Sequence, residues 1–308
     1  MNLRQGLLLL VTLAAAATPV LGQAVAPATG SSDAATHGGA TIPDFSGIWA
    51  HPYLTGFEIP SSGPGPVLNT QRLRNGVANF QMLVGDYNNP ILQPWAAQVV
   101  KKHGEISLAG KGYPTPSNQC WPGGVPYVFW DFLMQMWQQG DRITMLYRHG
   151  NEVRHVRMNQ PHPAHVTPSW YGDSVGHYDG ATLVIDTIGI KVGPFAMVDM
   201  YGTPHTEALH VTERYRLIDY AAAQEAIARN DKENLRVRQD GFDPDYRGKV
   251  LQLEFTVEDP GAFTTPWSSL ITYRRSFNEW TDLICAENIH EYHLGKESAV
   301  PHADKPDF

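Results

Sequence analysis

The alternation of apolar and polar residues is clearest over Glu207–Leu217. Leu209, Val211, Tyr215 and Leu217 share one face, and Ala208, His210, Thr212, Arg214 and Arg216 share the other. A period of two is that of a strand with one buried side. The apolar face also carries Glu207 and Glu213, and a carboxylate on a core face must find a partner or keep its proton. The same alternation marks Arg142–His149 and Glu152–Met158 around Gly150-Asn151, and Val175–Tyr178 and Thr182–Ile188 around Asp179-Gly180. Both dipeptides tolerate the positive φ of a two-residue hairpin turn. Further strands are predicted over Thr206–Ile218, Lys249–Val257, Ser268–Ser276 and Ile284–Tyr292, with another opening at Gly47. Eight or nine strands in succession predict a mainly β chain, folded as a single antiparallel up-and-down β-barrel with a ligand-sized interior.

Two segments interrupt this meander. From Ala50 to Gly140 the pattern is irregular, with turns over Pro60–Pro66 and a short helix predicted over Pro94–His103. This long N-terminal stretch is expected to wrap the barrel, and it gathers Trp121, Tyr127, Phe129, Trp130, Phe132 and Trp137. Such a cluster either walls an apolar cavity or plugs a barrel end. The other interruption, Asp219–Asn234, is rich in alanine and reads as a helical insertion between two strands; no internal repeat is present.

Composition adds a location. Arg4, the apolar run Leu7–Ala17 and the small residues before Gln23 read as a secretory signal peptide over 1–22. The competing reading, a membrane anchor, needs about 20 apolar residues, more than this run supplies. No other stretch could span a bilayer. Residues 23–41 are nearly free of bulky side chains and read as a flexible linker, leaving 42–308 as the barrel domain. With 31 acidic against 23 basic residues the formal charge is −8 and no basic stripe interrupts it, so nucleic acid is not an expected partner. Cys120 and Cys285 are an even pair. In an oxidising compartment they are expected to form a disulfide rather than stay as free thiols, at a gain of ~4–5 kcal/mol in the chain-entropy model. The expected location is secreted or periplasmic, and the sequence carries no signal of an oligomeric state.

Gly47-Ile48-Trp49 resembles the G-x-W entrance of lipocalin-like (calycin) barrels, which implies that Trp49 closes the bottom of the barrel. Longer matches lie in Pro161-His162-Pro163, in Gly172–Thr187 and in Gly202–Tyr215, joined by Cys120–Pro126 and Cys285–Asn288. These segments resemble a large family of secreted bacterial proteins with the pattern G-x-S-x-G-x-W-x-G-D-T-L-V-x-D-T followed by P-H-S-E-x-L-x-x-x-E-R. That resemblance implies no activity. The chain departs from the pattern at Asp173, His177, Tyr178 and Ala181, where the family has His, Arg, Trp and Asp, and it keeps Asp186 and Glu213.

Three constellations could carry chemistry. Gly172-Asp173-Ser174-Val175-Gly176 is spelled like a serine nucleophile elbow, but an elbow needs a helix after its turn and a strand follows here. His155, His162, His165 and His177 fall close together, yet two of them sit in a proline-bounded loop without the stiff frame zinc needs, so no metal is expected. The third is acid–base. His205, Glu207 and Asp186 are the candidate catalytic residues, and His162, Arg154, Tyr147, Glu213 and Trp130 are candidates for holding substrate. His205 would transfer the proton and Glu207 would orient it. Arg154, Arg214 and Arg274 could instead pair with the carboxylates structurally, and for Glu213 that is the preferred reading.

With no phosphate loop, Rossmann fingerprint or cysteine nucleophile, no cofactor is expected. The expected function is a cofactor-independent lyase, isomerase, cyclase or hydrolase acting on a small apolar or aromatic molecule. The alternative is a periplasmic protein that binds a small hydrophobic ligand without changing it.

Overall fold

A computed structural model describes residues 42–233 and 245–276, the single residues Trp280, Leu283 and Cys285, and the backbone of two short pairings. Those pairings are Thr36–His37 with Ala40–Thr41 and Glu291–Tyr292 with Lys296–Glu297. The expected signal peptide lies outside the described residues, as does most of the linker.

Nine strands close into a barrel. They are β1 (Gly47–Ala50), β2 (Leu133–Gln138), β3 (Arg142–Tyr147), β4 (Glu152–Met158), β5 (Asp173–Asp179), β6 (Thr182–Ile188), β7 (His210–Ile218), β8 (Val250–Glu258) and β9 (Trp267–Ser276). Each strand pairs with its neighbours in sequence, and β9 returns to β1. The mainly β barrel is as expected, but its strands are not all antiparallel: β4 and β5 run parallel. The cause is parity. Alternating directions cannot close a ring with an odd number of members, so one adjacent pair must share a direction. A parallel pair needs a crossover of a dozen or more residues, and segment 159–172 supplies it.

The additional strand is β2, from the stretch expected to be wrapping loop. It follows the aromatic turn Tyr127–Trp130 after only Asp131 and Phe132, so no Gly, Pro or Asn marks its start in the sequence. The strand expected over Ile284–Tyr292 lies mostly outside the described residues, and its described end pairs only with Lys296–Glu297. The first hairpin loop runs over 148–151 because Tyr147 pairs with Glu152; Gly150 and Asn151 adopt φ of 71° and 51°. The second is Gly180-Ala181, one residue later than expected, since Asp179 pairs with Thr182.

Alternation on β7 begins at His210, with Val211, Glu213 and Tyr215 fully buried. Met134, Met145, Leu253, Phe255 and Tyr273 fill the same interior. Of the two readings of the aromatic cluster, the plug describes Tyr127, Phe129 and Trp130, which are buried, with Phe129 packed edge-on to Phe255 at 5.2 Å. Trp121 and Trp137 remain exposed.

At the β1 end, Trp49 is buried beneath the Arg275 guanidinium, 4.9 Å from its ring, and its indole N–H donates to the Phe45 carbonyl. Gly47 adopts φ 122°, a backbone conformation that residues with a Cβ rarely adopt. Helix α1 (Pro94–Leu108) opens on Pro94, whose fixed φ suits a first turn, and runs five residues past the expected end. Helix α2 (Tyr220–Glu233) docks through Arg229 and Asn230 onto buried Glu58 and through Asp231 onto Arg274. Cys120 and Cys285 are disulfide-bonded with Cα atoms 5.5 Å apart. No described helix is long and apolar enough to cross a membrane.

Candidate active site

The expected site residues fall in four places. Inside the barrel, Arg154 grips Glu213 with two hydrogen bonds of 2.9 and 2.6 Å and also donates to Ser174 Oγ and Thr187 Oγ1; Tyr215 donates to the same carboxylate. Arg154 and Glu213 are both essentially inaccessible to water, so the pair is committed to itself. Tyr147 is buried nearby with its hydroxyl on Met145 Sδ, and burial raises its pKa. Trp130 belongs to the aromatic plug, edge-on to Tyr53 and Tyr127.

Asp186 points outward from β6. Its two oxygens meet His162 Nε2 at 2.9 Å and His210 Nε2 at 2.6 Å, and His162 Nδ1 meets Asp173 at 2.6 Å. The bonds from His210 and His162 outweigh its partial burial and hold the Asp186 pKa down at about 2, while the same contact raises that of His210. Arg157 adds a bidentate grip on Asp173. The parallel ladder of β4 with β5 joins three residue pairs. Arg154, through Ser174 and Glu213, crosses this junction on the inner side, and Arg157, through Asp173, crosses it on the outer side.

His205 stands elsewhere, in the segment before β7. It is 6 % exposed and lines a shallow recess with Trp121, Gly124, Trp170, Lys191 and Phe195. The recess is a dimple of about 10 Å³, with room for one water. Nδ1 lies 3.0 Å from the Thr206 carbonyl. A carbonyl only accepts, so Nδ1 carries the hydrogen and the neutral ring presents Nε2 as a bare acceptor. Among the described residues no hydrogen bond to Nε2 is formed. Burial lowers the pKa, against smaller upward pulls from the Thr206 carbonyl and Asp259, so the ring is neutral at pH 7.

The expected partner, Glu207, is exposed and does not orient His205. The chain turns at Thr206, whose carbonyl accepts from Leu209 N, so the strand alternation does not reach back to Glu207. The orienting carboxylate is Asp259, which is buried. It accepts from Thr206 N at 2.5 Å, Thr206 Oγ1 at 2.7 Å and Gly261 N at 3.0 Å, fixing the His205–Thr206 peptide and the Thr206 side chain next to the carbonyl that meets His205.

The walls of the recess rest on two glycines. Gly124, at φ 68°, would place a Cβ 2.7 Å from the Trp170 carbonyl, and Gly193 would place one 2.7 Å from the Trp170 ring. Trp170 and Phe195 both meet Trp121 edge-on, at 5.1 and 5.7 Å. Trp121 belongs to the aromatic group picked out by sequence. Asp259, Trp170, Lys191 and Phe195 do not, and the available signal was only the turn spelling Asp259-Pro260-Gly261 and the Gly193-Pro194 pair.

Among the described residues no group of three or more His, Cys, Asp or Glu is arranged to hold a metal ion. No protein-family description, curated protein or solved structure matches the chain.

Proposed function

We propose that this chain is an exported, cofactor-independent acid–base enzyme of the lyase, isomerase, cyclase or hydrolase kind, acting on a small aromatic or apolar molecule at the His205 recess. The observation that carries this reading is the fixed tautomer: a neutral imidazole with Nδ1 tied to a carbonyl, in a ring that lines an aromatic-walled recess. Such a ring accepts a proton from an acidic C–H or O–H and returns it to another atom of the same molecule, an effect of ~10²–10⁴-fold. Burial, by keeping the ring neutral, keeps it a base to lower pH than an exposed histidine.

In the same reading the barrel is a lipocalin-like meander with an added strand, supported by the Gly47-Ile48-Trp49 entrance and the neighbour-to-neighbour strand order. Export is supported by the Cys120–Cys285 bond. The resemblance to the family of secreted bacterial proteins fits it too.

One observation favours a second reading. No carboxylate lines the recess beside His205, which suits a periplasmic protein that binds the same molecule unchanged. Incubating the mature protein with aromatic metabolites separates the two. The enzyme reading expects conversion that His205→Ala lowers by ~10²-fold or more in a folded protein, with an acid limb of kcat/KM below pH 6.5, the ordinary histidine value. Tight binding with unchanged ligand supports the second reading and rejects the first.

A further inference from the structure

We propose that His162 is a proton-operated clasp. Charged, it ties the crossover between β4 and β5 to two strands of the barrel wall; neutral, it releases one of them and the crossover loosens.

The geometry fixes the charge state of the closed clasp. His162 Nδ1 lies 2.6 Å from Asp173 Oδ2 on β5, and Nε2 lies 2.9 Å from Asp186 Oδ2 on β6. An ionised carboxylate only accepts, so each nitrogen must carry a hydrogen, and a neutral imidazole carries just one. Both acceptors are ionised. Arg157 Nη2 donates to the two oxygens of Asp173, and hydrogen bonds from His210 and His162 hold the pKa of Asp186 at about 2. The ring bonded on both sides is therefore an imidazolium. Loss of its proton sets an acceptor against an acceptor at one of the two contacts, which then separates.

Neither carboxylate is stranded by that release. Asp173 keeps Arg157 of β4, and Asp186 keeps His210 Nε2 at 2.6 Å and Thr212 Oγ1 at 3.3 Å from β7. The Asp186 contact holds His210 charged to higher pH than an ordinary histidine, and Glu258 of β8 lies 3.9 Å from its Nδ1. Opening thus costs one hydrogen bond and leaves no buried charge, as a reversible switch requires. The His162 side chain is 19 % exposed, so its proton exchanges with solvent.

Little else holds the crossover. Backbone hydrogen bonds pin its ends, from Asn159 N to Gly176 O and from Ser169 N to Gly189 O. Among the described residues no backbone hydrogen bond holds 160–168 between them. Every residue of that stretch is exposed except His162 and Val166, which packs over Gly189. Gln160 adds one exposed contact of 3.3 Å with Arg157.

The sign follows: the clasp is closed in acid and opens as pH rises. The test is amide hydrogen exchange over 160–168, corrected for the intrinsic pH dependence of exchange and compared between about pH 5.5 and about pH 8.5. Protection is expected to be about fivefold lower at the higher pH, the equivalent of one partly exposed charged contact of ~1 kcal/mol, while that of β6 stays constant. His162→Gln carries no charge and is expected to show the lower protection at both pH values. His162→Arg, charged throughout and with donors for both carboxylates, is expected to show the higher protection at both. His165→Gln, in the same stretch, is expected to respond as the wild type does. Equal protection at the two pH values, a crossover that opens on acidification, or a response that survives in His162→Gln would overturn the proposal.

Discussion

His205 is held by the Thr206 carbonyl, and Asp259 holds the Thr206 amide and hydroxyl beside it. Asp259→Asn keeps one of the two oxygens as an acceptor, so either Thr206 N, which meets Oδ2, or Gly261 N, which meets Oδ1, loses its partner, and it removes the charge that pulls the pKa of His205 upward. The expected result is a folded protein whose acid limb moves to still lower pH, with kcat reduced more than KM is raised, since the base is weakened and the walls are untouched. A profile identical to wild type would show that Asp259 only shapes the turn. His205 could be picked out in the sequence because it precedes a strand after Gly202-Thr203-Pro204, a place where ligands meet barrel mouths. Asp259 could not, because it lies far along the chain and acts through the peptide of Thr206. Glu207 was misread for a local reason: the Thr206 turn ends the period of two before reaching it.

Arg154 and Arg157 both reach across the parallel junction of β4 with β5. Arg154 and Glu213 form a buried pair across it, and removing one partner leaves an uncompensated charge in the core. Glu213→Gln or Arg154→Met is expected to cost ~3–5 kcal/mol, whereas the double replacement Arg154→Met with Glu213→Leu should cost much less than the two single costs added. On the outer wall, Arg157→Ala breaks a part-exposed grip on Asp173 and should cost ~1 kcal/mol or less. Urea denaturation of the set decides. Additive single costs would mean that the two groups act independently and that the pair is not a unit. Strand periodicity made eight of the barrel strands legible, including the alternation of β7. The ninth was hidden because only Asp131 and Phe132 separate β2 from the aromatic plug. The parallel pair was hidden with it, since strand direction follows from the parity of the whole ring and not from any one segment.

At the scale of the molecule, buried titratable groups set where the fold is most stable. Burial lifts Asp131 to about 7 and Glu152 to about 8. The folded state therefore binds those protons more tightly, and the stability they contribute is lost as pH rises through these values. Burial lowers His51 to about 4 and His103 to about 3. There the unfolded chain binds protons more tightly, and stability is lost as pH falls below 6.5, the ordinary value. Above pH 6.5 Asp131 and Glu152 act in the same direction as His210, whose pKa is raised, so Tm is expected to fall from there to about pH 8, and the double variant Asp131→Asn with Glu152→Gln is expected to make that fall smaller. A wild-type Tm that is constant or rising over this range would contradict the assignment. The barrel and its disulfide were legible from strand count and cysteine parity. The recess was not, because Trp121, Trp170, Phe195 and His205 converge from three loops with no shared period.

The most direct test of the account is the ionisation of the His205 ring itself. Nitrogen NMR of isotope-labelled histidines, with the His205 signals assigned by comparison with His205→Gln, reports both tautomer and titration. The account predicts a neutral ring with its hydrogen on Nδ1, titrating below 6.5. A ring protonated on Nε2, or one that titrates at or above the ordinary value, would contradict it.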